Sequence, residues 1–256
     1  MLLTIDIGNT NIVLGVYDGD NLLFISRLET NKKRTADQYS VEIKSIFELH
    51  NTETNCIKGA IISSVVPEIT SALKSAIKFL IGVTPMVVGP GLKTGMNISI
   101  DNPAQVGSDL VSGAVAAIDL YPLPALVIDL GTATKISVVN EQGAFCGGII
   151  APGVSVSLDA LSKTASQLPT ISLENVGPAI GKNTIDCMRS GIVYGTAAML
   201  DGLCDKIESE LDVKVKTIVA TGGLAKDIVK HCKRKLIHND NLIVHGLKCL
   251  YKRNTH

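Results

Sequence analysis

One pattern occurs twice in this chain, about half its length apart. "DIGNTNIVLGVYDG" begins at Asp6 and "DLGTATKISVVNEQG" begins at Asp129. In each, an apolar strand-like run ends in Asp-x-Gly, passes through small polar residues into a second run, and turns back. A lone Asp-Gly is an ordinary turn signal. The same order of strand, acid, glycine, strand and turn at two places indicates a duplicated domain with a cleft between the halves. We divide the chain into 1–118 and 119–256 on this basis.

The rest of the chain reads as strands alternating with helices. Leu2–Ile7, Ile12–Tyr17 and Leu22–Leu28 are strand-like, with the Asp-Gly of "YDGDN" between the last two. Thr35 or Asp37 caps a helix over Gln38–Leu49. Residues 59–66 form a buried strand, and Pro67 opens a helix to about Leu80. A short strand at 86–89 and a helix over Ser108–Leu120 complete the first half. In the second half, strands are expected at 125–131, 133–140, 143–150 and 215–223. Helices are expected over Ser155–Leu161, Thr184–Glu210, Leu224–Cys232 and Leu242–Tyr251. This alternation marks an α/β protein.

Composition removes several functions. Lys plus Arg number 24 and Asp plus Glu number 24, so no net charge draws the chain to nucleic acid or an anionic membrane. With 4% aromatic residues and no Trp, it offers no stacking platform for single strands. No apolar stretch reaches the ~20 residues that span a bilayer. The six cysteines stand singly, with no CxxC pair and no secretory signal before them, as expected of reduced thiols in a cytoplasm.

The repeated hairpin suits phosphate chemistry. Gly8 and Gly131 permit tight turns and bring backbone N–H groups close to a ligand. Asn9, Thr10, Thr132 and Thr134 offer neutral hydrogen-bond partners for phosphate oxygens. Asp6 and Asp129 would repel a phosphate and so need a cation between. Mg²⁺ takes one or two carboxylates together with substrate phosphates. "VATGGLA" (219–225) follows a strand and opens a helix, so its glycines admit a flat ring or phosphate near a positive helix end.

Taken in order, "DIGNTN", "GLKTGMNISIDNPAQVGSDL", "DLGTAT", "GGIIAPG", "IGKNT", "SGIVYGTAAMLDGL" and "ATGG" resemble the type III pantothenate kinases over nearly the whole chain. The resemblance implies duplicated actin-like (ribonuclease H-like) α/β domains with a central cleft. It implies ATP-dependent phosphorylation of the primary hydroxyl of pantothenate, the first step of coenzyme A synthesis. It further implies Mg²⁺, a monovalent cation (K⁺ or NH₄⁺), a cytoplasmic homodimer with the substrate pocket at the subunit interface, and neither nucleic acid nor membrane as partner. By position, Asp6, Ile7, Gly8, Asn9, Thr10, Asn11, Ile12 and Val13 resemble the first phosphate loop, with Asp6 reaching Mg²⁺ through phosphate or water. Asp129 matches the monovalent-cation ligand, and Thr132, Thr221, Gly222 and Gly223 match nucleotide contacts. Ile100, Gly107, Ser108, Asp109 and Leu110 match substrate positions, with Asp109 as the base. Thr184 matches a contact donated by the partner subunit.

The chain departs from the family pattern where the acceptor should bind. Leu110 stands in place of an arginine and Ile100 in place of a tyrosine. An arginine grips a carboxylate in a way leucine cannot, and losing such a contact costs ~1.5–3 kcal/mol. Lys135 stands where relatives carry threonine, shares strand parity with Asp129, and is a candidate compensating cation. Two other readings follow from these departures: a catalytically weakened nucleotide-binding relative with a regulatory role, and a kinase of another small alcohol.

Three weaker signals have plainer readings. His231, Cys232, His238, His245 and Cys249 lack the tight paired spacing of zinc sites, although His245 and Cys249 can share a helix face. "KHCKRK" (230–235) reads as a solvated helix end. In the long helix, Gly191, Gly195, Ala197 and Ala198, with Ile192, Val193, Met199 and Leu203, suit close packing within one subunit or against a second.

Overall fold

The computed structural model describes residues 1–255. They divide into two compact units. The first comprises Met1–Asn97, Asp101–Asp119 and the C-terminal stretch from Asn241; the second comprises Ile98–Ile100 and Leu120–Asp240.

In the first unit, β1 (Leu2–Ile7), β2 (Asn11–Asp18) and β3 (Asn21–Glu29) form a meander, and β4 (Gly59–Ser64) and β5 (Met86–Val87) extend it on the other side of β1. The order is β3-β2-β1-β4-β5, with β1 antiparallel to β2 and parallel to β4. Helices α1 (Ala36–Leu49) and α2 (Pro67–Ile81) bury Tyr39, Ile43, Phe47, Ile69, Leu73 and Ile77 in one cluster with Leu3, Ile5 and Leu14 of the sheet. Local chemistry sets their ends. Thr35 and Gln38 make a reciprocal capping box on α1, and Pro67 opens α2, which stops at Gly82 with φ 69°. α3 (Ser108–Leu120) buries Val111 and a run of small residues, Ser112 to Ala117.

The C-terminal helix α7 (Leu242–Thr255) also packs in this unit, although the sequence division ran 119–256 together. Glycines make its seat. A Cβ at Gly15 would lie 3.3 Å from the Val244 side chain, and one at Gly59 would overlap the Tyr251 hydroxyl. A Cβ at Gly246 would overlap the backbone carbonyl of Ser112 in α3. Chain order gives no hint of this return, because the complementary glycines lie far upstream.

The second unit repeats the plan. β6 (Ala125–Leu130), β7 (Ala133–Val139), β8 (Phe145–Pro152), β9 (Thr217–Thr221) and β10 (Ile237–His238) pair in the order β10-β9-β6-β7-β8. Read from its other edge, this is the order of the first sheet, with β6 antiparallel to β7 and parallel to β9. α4 (Val154–Thr164) and α5 (Thr184–Leu211) bring Val154, Val193, Ala197, Leu200 and Cys204 onto Leu126, Ile128 and Ile136. α5 starts at Asn183, whose side chain accepts the Asp186 amide at 2.9 Å.

The sixth helix, α6 (Ala225–Val229), is shorter than expected. The Asp201 carboxylate of α5 accepts the amides of Lys233 and Arg234 at 2.8 and 3.1 Å and draws the chain out of the helix. Arg234 also donates to Asp205 (2.6 Å) and to buried Glu208 (2.5 Å), so part of the basic run is an internal clamp on α5. β10 escaped notice because two residues are too few for alternation to register.

The Arg234 bond, aided by Lys214, holds the Glu208 carboxyl down to about 2. Its folded value thus lies below the unfolded one, so the stabilisation is complete above the ordinary value of 4.5 and fades as pH falls toward about 2. Glu208→Gln is therefore expected to lower stability at neutral pH by ~1.5–3 kcal/mol. In urea titrations the gap to the parent should narrow steadily below about pH 4.5.

Candidate functional site

In the first unit, the antiparallel register sets Ile7 against Ile12 and leaves residues 8–11 as the connection. The Gly8 amide donates to the Asn11 carbonyl at 2.9 Å. Thr30, just past β3, holds this turn from outside: its hydroxyl donates to the Gly8 carbonyl (2.7 Å) and its amide to the Thr10 carbonyl (3.0 Å). Asn9, Thr10 and Asn11 are exposed, Asp6 and Val13 half-buried. The side chains of Ile7 and Ile12 are fully buried, so only their backbone can meet a ligand.

Asp109 is tied to the same end of the sheet. Asp6 pairs in parallel with Ser63 of β4. The Ser63 hydroxyl donates to Ser108 Oγ at 3.0 Å, and Ser108 Oγ accepts the Ser64 amide at 2.9 Å. Ser108 is thereby buried with its hydroxyl engaged, and it pins the first turn of α3, where Asp109 follows. Asp109 Oδ1 accepts the Leu110 amide at 2.8 Å. A Cβ on Gly107 would approach that oxygen to 2.6 Å, so this Asp109 conformer requires glycine at 107.

In the second unit, the Gly131 amide donates to the Ala133 carbonyl at 3.2 Å, closing a turn one residue tighter than the first. Asp129 lies between Lys135 on β7 and Thr221 on β9. Lys135 Nζ approaches Asp129 Oδ2 to 2.7 Å, with 18% and 21% of the two side chains exposed. Gly222, at φ 100°, packs where a Cβ would come within 2.6 Å of the Leu130 carbonyl and 2.8 Å of Asp129 Oδ1. Gly153, the N-cap of α4, abuts the backbone of Gly131 and Thr132 in the same way. Thr132 and Gly223 are exposed; Thr221 is buried.

Two expectations need correction here. Thr134 is 1% exposed, and its hydroxyl has no partner among the described residues. It lies one residue out of phase with Lys135 and thus on the strand face opposite Lys135 and Asp129. The helix after "ATGG" has only five residues, too few for a strong terminal dipole, so close approach at Gly222 and Gly223 is the property that remains.

The residues expected to meet the acceptor are placed separately in the two units. Gly107–Leu110 belong to the first and Ile100 to the second, where it lies beside β8 through the Ser99 amide to Phe145 carbonyl bond of 2.8 Å. Thr184 is exposed at the start of α5 and lines an apolar hollow of about 300 Å³ with Leu161, Leu168, Met188 and Ile192. Along α5, Val193 and Ala197 face inward, whereas Gly191, Gly195, Ala198 and Gly202 are exposed. His245 and Cys249 do share a face, and Asp119 joins them, their ligand atoms lying within 4.8 Å of one another. His245 Nε2 lies 2.7 Å from Asp119 Oδ2, and burial pushes the Cys249 thiol up to about 11, so the trio serves as a tie between α3 and α7. Among the described residues no helix is long and apolar enough to cross a membrane.

Sequence reasoning missed Thr30, Ser63 and Gly153. Gly153 carried a signal in the Pro-Gly ending the third strand of the repeat, but the two hydroxyls act through pairing register and had none.

The family model for type III pantothenate kinase matches residues 2–206. A type III pantothenate kinase of Halalkalibacterium halodurans is 43% identical over 254 residues, covering 99% of this chain and all of that protein. Among solved structures, a protein described as a Baf-family transcriptional activator from Campylobacter jejuni superposes with a TM-score of 0.61 at 18% identity, covering 98% of both chains. A ROK hexokinase from Thermus thermophilus gives 0.52 at 14% identity, also covering 98% of both. These two likenesses show the fold, a duplicated actin-like α/β architecture. The chain belongs to the type III pantothenate kinase family, enzymes that phosphorylate pantothenate in coenzyme A synthesis.

Proposed function

We propose that this chain transfers the γ-phosphoryl group of ATP to the primary hydroxyl of pantothenate in the cytoplasm, with Asp109 taking the hydroxyl proton. The observation that carries this reading is the Asp6–Ser63–Ser108 linkage, which holds the candidate base at the same strand ends as the first phosphate loop. Phosphoryl transfer asks a protein mainly for positioning and charge neutralisation, and the alcohol must still lose a proton. Ser108 orients this turn through its buried hydroxyl and leaves its backbone for the acceptor. Asn9, Thr10, Thr132 and the Thr221–Gly223 turn contact the nucleotide.

Asp6 fits Mg²⁺. It is a half-buried hard oxygen donor beside an exposed polar turn, and its strand neighbours Val13 and Ser63 carry no charge. When bound, the ion neutralises charge on the phosphate oxygens. A monovalent cation on Asp129 does not fit. Lys135 already balances that carboxylate, so the pair offers no net charge to a further ion. Two cations on one carboxylate would stand roughly 4 Å apart and repel by about 4 kcal/mol in a medium of effective dielectric 20.

The exposed small-residue face of α5, continuous with the hollow at Thr184, supports a homodimer in which this end of α5 reaches the partner's acceptor pocket. Light scattering should give twice the chain mass for the parent and the monomer mass for Gly195→Arg, with turnover lost alongside.

Asp109→Asn is expected to reduce turnover by ~10²–10⁴-fold while leaving ATP affinity unchanged. Retained turnover would remove Asp109 from the chemistry. Clear ATP binding with no turnover of any alcohol in the parent would favour the regulatory reading. Leu110→Arg restores a carboxylate grip and should lower the KM for pantothenate by about one to two decades with little change in kcat. An unchanged KM, with another alcohol turned over instead, would mark a kinase of that alcohol.

A further inference from the structure

We propose that the Lys135 ammonium is a built-in replacement for the monovalent cation, making this enzyme independent of K⁺ and NH₄⁺; the inference rests on the kinase reading above. Asp129 and Lys135 are directly opposite on β6 and β7, so their side chains leave the sheet on the same face. The contact of 2.7 Å is largely shielded from solvent, with 18% and 21% of the two side chains exposed. It sits at the turn carrying Thr132, and Gly222, lacking a side chain, keeps the other Asp129 oxygen clear of carbon.

A lysine head group is a substituted ammonium ion. It carries the charge of K⁺ or NH₄⁺ and three N–H donors, enough to hold a carboxylate and a phosphate oxygen together. Tethering removes the need to recruit an ion from solution. At the matching register position of the first hairpin, Asp6 faces Val13 rather than a lysine. At this register position the lysine belongs to the second hairpin alone.

Turnover of MgATP and pantothenate should be compared in choline, potassium and ammonium chlorides at equal ionic strength. The parent is expected to stay within about twofold across all three. Lys135→Thr, which opens space, should fall ~100-fold in choline and recover in potassium or ammonium. Lys135→Met, which fills the space without charge, should fall and not recover. MgATP affinity by calorimetry, without acceptor, should follow the same pattern and decides the matter even if no alcohol is phosphorylated. Thallium-205 resonance should report binding to Lys135→Thr and none to the parent. A parent whose turnover or MgATP affinity rises tenfold or more with potassium would overturn the proposal. So would a folded Lys135→Thr that keeps full turnover and affinity in choline.

Discussion

Strand pairing decides what each acid of the duplicated hairpin can do. Both acids end the central strand of a sheet, between an antiparallel neighbour and a parallel one. Asp6 lies between Val13 and Ser63, neither of which carries a charge. Asp129 lies between Lys135 and Thr221 and is balanced by an ammonium at 2.7 Å. A single change of residue at one register position thus gives two copies of one backbone motif different electrostatics. The first copy offers a hard oxygen donor between uncharged strand neighbours. The second presents a neutral pair whose positive end is tethered.

The turns that hold these acids are braced from the third strand of each meander, but by opposite means. Thr30 adds two hydrogen bonds to the backbone of Gly8 and Thr10. Gly153 adds nothing and instead removes a side chain, letting the start of α4 close onto Gly131 and Thr132. The same economy of glycine shapes the seat of α7, where Gly15, Gly59 and Gly246 admit Val244, Tyr251 and the backbone of α3. The Asp119–His245–Cys249 tie adds a polar contact to that seat.

Much of this was legible in the sequence because the signals are local. The repeat, the capping residue Thr35, Pro67 at a helix start and the strand parity of Lys135 with Asp129 depend on neighbours within a few positions. What was not legible depends on pairing across distance. Thr134 has the right chemistry for a phosphate contact and the wrong strand face, which becomes visible only once the register is known. The helix after Gly223 ends early because a carboxylate from α5 takes its next amides, a contact with no trace in the local pattern. The return of α7 to the first unit has the same origin.

On the kinase reading, the departure at Leu110 bears on affinity rather than on chemistry, and the geometry of the turn says why. Asp109 Oδ1 is held by the backbone amide of residue 110, which any side chain would supply. Its conformer is further set by the absence of a Cβ at Gly107 and by the Ser108 hydroxyl on β4. None of these three restraints involves the side chain at 110. On the kinase reading proposed above, leucine at 110 therefore leaves out a grip on the acceptor's carboxylate while the Asp109 carboxylate keeps its place. The two functions of this short turn are separable because one is written in backbone and the other in a side chain.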